Sequence, residues 1–293
     1  MSSLFEPCRY LYLSLRVPQR PDSFNLRFLL EQKCRWRKGE ICAQWAFFCS
    51  LGPIDVKDYF EFVTSRLSID PSQRGRTTVP TPSHPNPVAL ITGASSGIGR
   101  EVAHRLSREG YRLAICARRQ ERLETLAREL KARGSEVLVY PLDLRDTASI
   151  PGLFDAIRER WGGVDVLINN AGLGRRAPLL SGDTDAWREM LEVNVLALCI
   201  CTREATSDML RRKSPGHVIH LSSMSAHRVP TGSGVYSASK FAVRSLTESL
   251  RQELRAIDAP IRITSISPGF VETEFAEVYS GSPARAREVY SQF

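Results

Sequence analysis

A tyrosine and a lysine four residues apart, Tyr236 and Lys240, have types and spacing suited to proton-transfer chemistry. On an α-helix, side chains at this spacing lie on one face and can meet the same substrate. A free tyrosine has a pKa of about 10, too high for a base near neutral pH, but an adjacent ammonium group stabilises the phenolate. The pair therefore predicts a tyrosine that acts as a general acid or base.

The elements that would hold this pair are predicted from residue 88 onward, where short apolar runs alternate with helix-length amphipathic stretches. This alternation is typical of an α/β fold, a doubly wound parallel sheet covered by helices on both faces. The tyrosine and the lysine fall at the start of the last predicted helix. The predicted strands are 88–92, 112–117, 137–140, 164–168, 217–221 and 261–266, and the predicted helices are 99–109, 119–133, 147–161, 185–212 and 236–257.

A glycine-rich loop, TGASSGIG at residues 92–99, follows the first predicted strand and precedes a predicted helix. Its glycines let the backbone turn tightly and approach a pyrophosphate, and the helix N-terminus presents unpaired amide groups. An ordinary strand-to-helix turn is the alternative, but strand, loop and helix occur here in the required order. The dinucleotide site predicted from this loop includes Gly93, Ser95, Ser96, Gly97, Ile98 and Gly99.

The second predicted strand ends in Cys-Ala followed by two arginines, Arg118 and Arg119, and no acidic residue occurs before Glu121. An acidic residue at this point would bind the adenosine ribose and repel a 2′-phosphate, whereas arginine would do the reverse. The alternative is a solvated helix start. Basic side chains at a helix N-terminus oppose the helix dipole, however, so a phosphate partner accounts better for both arginines. NADP(H) is therefore the favoured cofactor.

The composition excludes several classes of protein. Hydrophobic residues make up 42% and charged residues 25%, as in globular proteins. The formal net charge of +8 is spread evenly, with 12 basic and 8 acidic residues in 1–87 and 28 and 24 in the remainder, which disfavours a nucleic-acid partner. Seven cysteines, an odd number, favour a reducing compartment, so a cytoplasmic location is expected. The spacing of the first four cysteines predicts no metal site, and the apolar stretch 41–54 is too short for a membrane span.

The composition and the hydrophobic pattern of the sequence change near residue 87. Residues 1–69 have no sustained helical or alternating period and are predicted as an unassigned N-terminal extension. Residues 70–87 contain five prolines, the composition of an extended linker. Residues 88–293 are predicted to form the dinucleotide-binding domain.

Five motifs in residues 88–293 resemble those of the short-chain dehydrogenase/reductase family, in the family's order and at the expected strand ends. The loop has GxxxGxG spacing, NNAG at 169–172 follows the fourth strand, and Pro268-Gly269 follows the sixth. Ser223 precedes the tyrosine of the family's YxxxK motif by thirteen residues. The resemblance implies a Rossmann-like fold of about six strands, with the family's seventh strand missing from this sequence. An exposed sheet edge and an incomplete substrate cover are therefore expected.

The resemblance also implies roles for individual residues. Tyr236 would protonate a substrate carbonyl that NADPH reduces by hydride transfer, and Ser223 would hydrogen-bond the same oxygen. Asn194 would hold a water together with Lys240, although it could instead only kink or anchor its helix. Around the cofactor, the resemblance implies Asp143 and Leu144 at the adenine, and Asn170, Ala171 and Gly172 lining its pocket. It also implies Thr273 on the carboxamide or phosphate side, and Pro268, Gly269, Val271, Tyr236 and Lys240 as further cofactor-binding residues.

The implied activity is NADP(H)-dependent interconversion of a ketone or aldehyde with an alcohol. Stretches such as LSSMSAHRV and ISPGFVETEFA are similar to a group within the family that reduces ketones, including ketosteroids, and a group that oxidises serine-type hydroxy acids is the related alternative. The family associates through two long helices, so a homodimer or homotetramer is expected. The other classes of function are a catalytically silent dinucleotide-sensing or interaction protein and, on net charge alone, a nucleic-acid binder.

Overall fold

The computed structural model describes residues 86–291, which contain one parallel sheet of six strands. The predicted extension, and the predicted linker up to residue 85, lie outside the described residues. The strands lie side by side in the order β3-β2-β1-β4-β5-β6. They are β1 (Val88–Thr92), β2 (Arg112–Ala117), β3 (Val137–Pro141), β4 (Val166–Asn169), β5 (Gly216–Leu221) and β6 (Ile261–Ile266).

Eight α-helices occur in the described range, together with a π-helix (Glu192–Leu196) and a 3-10 turn (Met224–Ala226). The last two α-helices have no counterpart among the predicted elements. The helices are α1 (Gly97–Arg108), α2 (Gln120–Lys131), α3 (Ile150–Trp161), α4 (Thr184–Leu191), α5 (Ala197–Arg212), α6 (Gly234–Ala256), α7 (Phe275–Ser280) and α8 (Pro283–Ser291).

The two faces of the sheet are each covered by an apolar core, which confirms the predicted doubly wound α/β fold. Successive residues of β1 point to opposite faces. Ile91 belongs to the core cluster that contains Leu126 of α2, and Leu90 belongs to the cluster that contains Phe154 of α3. All four side chains are almost completely buried. Each contributes roughly 2 kcal/mol to stability through the apolar surface that it removes from water.

The strand order reverses at β1, which creates the crevice where ligands bind in open α/β sheets. Ile91 of β1 pairs with Ile115 of β2 on one side and with Ile168 of β4 on the other. The loops after β1 and β4 therefore leave the sheet side by side at its carboxyl edge. The glycine loop and the NNAG segment are these two loops.

One predicted helix boundary was wrong by more than two residues, and one predicted helix is interrupted. The helix predicted at 147–161 begins at Ile150, because the residues before it form a turn in which Ser149 Oγ donates to Asp146 Oδ2 (2.6 Å). The helical region predicted at 185–212 is interrupted by the π-helix. The other predicted boundaries lie within two residues of the observed ones.

None of the helices between residues 86 and 291 is both long and apolar enough to cross a membrane. Over the same residues, His, Cys, Asp and Glu side chains form no group of three that could hold a metal ion.

Candidate active site

The four residues predicted to be catalytic come together near the carboxyl ends of β4 and β5. Ser223 follows β5 by two residues, and Tyr236 and Lys240 lie in the first two turns of α6. Asn194 lies in the π-helix. The tyrosine, the lysine and the asparagine are 8%, 5% and 1% exposed. Because water is largely excluded, electrostatic interactions within this group are stronger than at the surface.

The Ser223 side chain lies close enough to the Tyr236 phenol to lower its pKa. The 3-10 turn after β5 holds this serine in place, since Ser223 Oγ accepts a hydrogen bond from the Ser225 N–H (3.1 Å). Burial raises the pKa of Tyr236 to about 12, and the contact with Ser223 opposes only part of that rise. At neutral pH the phenol is therefore protonated and can donate a proton.

Lys240 lies under the same tyrosine, with its Nζ 5.9 Å from the centroid of the Tyr236 ring. The ammonium donates a hydrogen bond to the Leu221 carbonyl oxygen (2.9 Å). Burial lowers the pKa of Lys240 to about 8. The sequence predicted that this charge, together with the positive nicotinamide ring of a bound cofactor, would stabilise the phenolate. The residues of this chain alone raise the pKa of the phenol, because the cost of burying a phenolate dominates.

Gly172 separates the lysine from the asparagine. A Cβ atom at this position would lie 3.3 Å from both Lys240 Nζ and Asn194 Oδ1. Glycine therefore lets the ammonium and the amide oxygen approach the same short piece of backbone. The two groups that the family resemblance connects through a water thus border the same residue.

Asn194 anchors the backbone that follows β4. Its Oδ1 accepts a hydrogen bond from the Leu173 N–H (2.9 Å), and its Nδ2 donates to the Leu173 carbonyl oxygen (2.8 Å) and to Ser239 Oγ (3.0 Å). These bonds join the NNAG segment to α6 through the π-helix, an element frequent at functional sites. Of the two alternatives left open by the sequence, anchoring is visible in these contacts, and the water-holding role stays a prediction.

Thr92, the last residue of β1, connects the glycine loop to the NNAG segment. Its Oγ1 accepts hydrogen bonds from the N–H groups of Asn170 (3.1 Å) and Ala171 (3.0 Å). Asn170 Nδ2 in turn donates to the carbonyl oxygens of Thr92 (2.9 Å) and Gly93 (3.1 Å). The sequence analysis named Asn170 and Ala171 but missed Thr92, although its place at a strand end before the glycines was an available signal.

The glycine loop fits a phosphate group. The first turn of α1 has no acidic residue, and its N-cap, Ser96, makes no side-chain cap hydrogen bond. Arg119 adds positive charge here, with its NH2 nitrogen 2.8 Å from Ser96 Oγ and 3.1 Å from Ser95 Oγ. A helix N-terminus and a guanidinium group that converge in this way are the partners that a phosphate requires.

Two other residues predicted at the cofactor lie in ion pairs. The Arg118 side chain is 57% exposed and lies 4.0 Å from Glu189. Asp143 accepts a hydrogen bond from Arg145 Nε (2.9 Å), and the hydrogen bonds from Arg145 hold the pKa of Asp143 below its usual value. The arginine is therefore open to an incoming ligand, whereas the aspartate is already paired within its own turn.

The segment after β6 packs against Tyr236. The Pro268 carbonyl oxygen accepts a hydrogen bond from the Met224 N–H (2.9 Å), which attaches this segment to the turn that holds the serine. Further along, the rings of Phe275 and Tyr279 in α7 lie 5.6 and 5.9 Å from the Tyr236 ring, centroid to centroid. The four-residue spacing of these two aromatic residues could have indicated that they share one face of a helix. The incomplete substrate cover expected from the sequence stays a prediction.

Comparison with known proteins identifies the family. The family model described as short chain dehydrogenase matches residues 87–282. The chain belongs to this family. "Dehydrogenase/reductase SDR family member 11" of Homo sapiens is 48% identical over 211 residues, covering 70% of this chain and 81% of the relative. "Farnesol dehydrogenase" of Aedes aegypti is 41% identical over 192 residues, covering 64% and 78%. The resemblance to the member 11 group, on which the expectation of a ketone reductase rests, is confirmed.

Solved structures of short-chain dehydrogenases share the fold. A serine dehydrogenase complexed with NADP⁺ is 32% identical with a TM-score of 0.66, covering 70% of this chain and 82% of that one. An enzyme from Burkholderia phymatum in complex with NAD is 33% identical with a TM-score of 0.64, covering 66% and 69%. Family membership therefore shows an NAD(P)-dependent oxidoreductase that acts on CH–OH groups.

Proposed function

We propose that this chain uses NADP(H) to interconvert a ketone or aldehyde with an alcohol, with residues 88–293 as the cofactor-binding domain. The observation that carries the proposal is the buried Tyr236 phenol, which lies beside Ser223 and close to Lys240. The dinucleotide, when bound, supplies the hydride for reduction or accepts it in oxidation. The two hydroxyls of the site would hold the carbonyl oxygen between them.

Each residue of the site has a separate task in reduction. Tyr236, whose pKa of about 12 keeps it protonated, donates its proton to the carbonyl oxygen. Ser223 donates a hydrogen bond to the same oxygen and stabilises the charge that develops on it. Lys240 stabilises the phenolate left behind, and a water held between it and Asn194 beside Gly172 returns the proton.

Arg118 and Arg119 support NADP(H) as the dinucleotide. Solved relatives include complexes with NAD and with NADP, so the choice rests on residues of this chain. A guanidinium group provides charge and paired donors that match a phosphate, and two of them follow β2. Arg119 also contacts the glycine loop, so the same side chain borders both proposed phosphate positions.

Replacing Arg118 with aspartate is expected to weaken NADPH binding at least about tenfold while changing NADH binding less than about threefold, because only NADPH carries the 2′-phosphate. Both dissociation constants can be measured by fluorescence titration. Arg128→Asp, which makes the same charge change at an exposed position of α2, is the control. Equal losses for the two dinucleotides would remove Arg118 from the choice of cofactor.

We propose apolar carbonyl compounds, with ketosteroids among them, as substrates. The proton donor is bordered by the aromatic rings of Phe275 and Tyr279. Leu179, which is 71% exposed, lies near the start of α6, with its Cγ 3.8 Å from the Cβ position of Gly234. Such surroundings suit a ligand with an apolar body and one polar group. The relative named farnesol dehydrogenase, after an apolar alcohol, supports the same class.

A panel of substrates tests this proposal. With NADPH, steroid ketones and long-chain aldehydes are expected to give kcat/KM values at least about tenfold above those of small polar ketones, because of the apolar surroundings of the tyrosine. With NADP⁺, serine-type hydroxy acids are expected to be poor substrates. Consumption of NADPH at 340 nm is the measurement. NADPH binding without turnover of any compound would instead support the catalytically silent dinucleotide-sensing protein.

A further inference from the structure

Glu274, the residue before α7, contacts two arginines: Arg119, the N-cap of α2, and Arg122, which lies within α2. Its Oε2 lies 2.8 Å from Arg119 NH1, and its Oε1 is hydrogen-bonded to Arg122 NH1. Neither Glu274 nor Arg122 was among the residues that the sequence pointed to. The contacts join positions 155 and 152 residues apart in the chain, so no local pattern could reveal them.

Arg119 connects this carboxylate to the glycine loop. One of its nitrogens faces Glu274, and its NH2 nitrogen faces the hydroxyls of Ser95 and Ser96. The segment around Glu274 also lies against the loop itself, because a Cβ at Gly97 would be 3.1 Å from Thr273 Cγ2. A carboxylate is thus held by guanidinium groups directly beside the position where a phosphate fits.

A carboxylate and a phosphate compete for the same kind of partner. Both accept charge-assisted hydrogen bonds from guanidinium groups, and the phosphate offers more charge and more acceptor oxygens. The two arginines hold the pKa of Glu274 below its usual value, so the group is anionic at neutral pH. The side chains of Arg119, Arg122 and Glu274 are 43%, 48% and 43% exposed, so a ligand can reach them and the ion pairs are weak enough to exchange.

We propose that Glu274 is a specificity-determining residue that occupies Arg119 and Arg122 in the cofactor-free chain and yields them to the 2′-phosphate of NADP(H). The inference rests on the proposed use of NADP(H). It adds that an internal anion lowers the affinity for a 2′-phosphorylated dinucleotide more than the affinity for an unphosphorylated one. The reason is that Glu274 contacts Arg119 NH1 and Arg122 NH1, whereas Arg119 faces the glycine loop through NH2. Glu274→Gln removes the charge and keeps the size, so it releases the arginines without opening a cavity.

The experiment is a calorimetric titration of the full chain with adenosine 2′,5′-bisphosphate and with AMP, which differ only in the 2′-phosphate. Glu274→Gln is expected to tighten binding of the bisphosphate about fivefold, the magnitude of an exposed ion pair, and to change AMP binding less than twofold. The gain is expected to shrink at high salt, because salt screens exposed charges. Glu277→Gln, which neutralises an exposed acidic residue within α7, is the matched control and should change neither affinity more than twofold.

Three results would overturn the inference. They are equal gains for the two ligands, no gain for the bisphosphate, and a gain of the same size in the Glu277→Gln control. A fall in melting temperature without a selective gain would show that Glu274 only attaches α7 to α2. If wild-type protein prefers the bisphosphate but Glu274→Gln has no effect, only this inference fails. If wild-type protein does not prefer the bisphosphate, the proposed cofactor is wrong and the inference falls with it.

Discussion

Replacing Tyr236 with phenylalanine is expected to lower kcat for NADPH-dependent ketone reduction by about a thousandfold, within the usual range for loss of a general acid. The variant loses the phenol beside Ser223 and keeps the ring that packs against Phe275 and Tyr279. Folding and dinucleotide binding should therefore change little. Single-turnover loss of NADPH absorbance measures the chemical step, and fluorescence titration measures binding.

The matched control for this substitution is Tyr111→Phe. Tyr111 is a partly buried tyrosine that packs against the core cluster containing Ile91. It lies just before the start of β2, at the opposite edge of the sheet from the site. Its loss should leave kcat within about twofold of the wild-type value. Wild-type turnover in Tyr236→Phe would show that another group donates the proton, and weakened NADPH binding would show that the phenol serves the cofactor rather than the substrate.

Replacing Asn194 with leucine is expected to lower the free energy of unfolding by about 3 kcal/mol. The substitution leaves the buried N–H and carbonyl groups of Leu173 without their amide partner, and each unpaired buried group costs about 1–3 kcal/mol. Turnover should fall as well, because the NNAG segment and Gly172 would lose their attachment to α6. Urea denaturation monitored by circular dichroism measures the stability, and the NADPH assay measures turnover.

Leu196→Ala is the control for the asparagine substitution. Leu196 lies in the same π-helix and is 47% exposed, so its truncation should change stability by less than about 1 kcal/mol. If Asn194→Leu kept wild-type stability yet lost turnover, anchoring would not be its main task, and the water held with Lys240 would account for the effect.

The strands could be predicted because each carries its own signal. β1 and β2 are buried on both faces and read as continuous apolar runs, VALIT and LAICA. Helices α1 to α3 have apolar residues at helical spacing on the side that packs against the sheet. The π-helix could not be predicted, because the apolar period continues through it. Its extra residue accompanies hydrogen bonds between Asn194 and Leu173, which lie 21 residues apart.

The residues that form the candidate site could also be predicted from the sequence, but their pKa values could not. Spacing alone placed Tyr236 and Lys240 on one helix face, and the motif order placed Ser223 beside them. The burial that raises the pKa of Tyr236 could not be predicted, because a model-peptide pKa value includes no burial. Phe275 and Tyr279 pack against Tyr236 because the segment after β6 folds back towards the site. The burial of the site therefore depends on the path of that segment.

By itself, then, the sequence determined which residues share an element and which strand ends carry the chemistry, because these depend on periodicity and on neighbours within a few positions. Only the tertiary structure decided which side chains are buried, which of them are protonated at neutral pH and which form ion pairs within the chain. Lys240 is buried where α6 packs against the end of β5. Glu274 forms an ion pair with Arg119, which lies 155 residues away in the chain. Desolvation and ion pairing depend on distances through space, and in this fold those distances are set by contacts between segments remote in the chain.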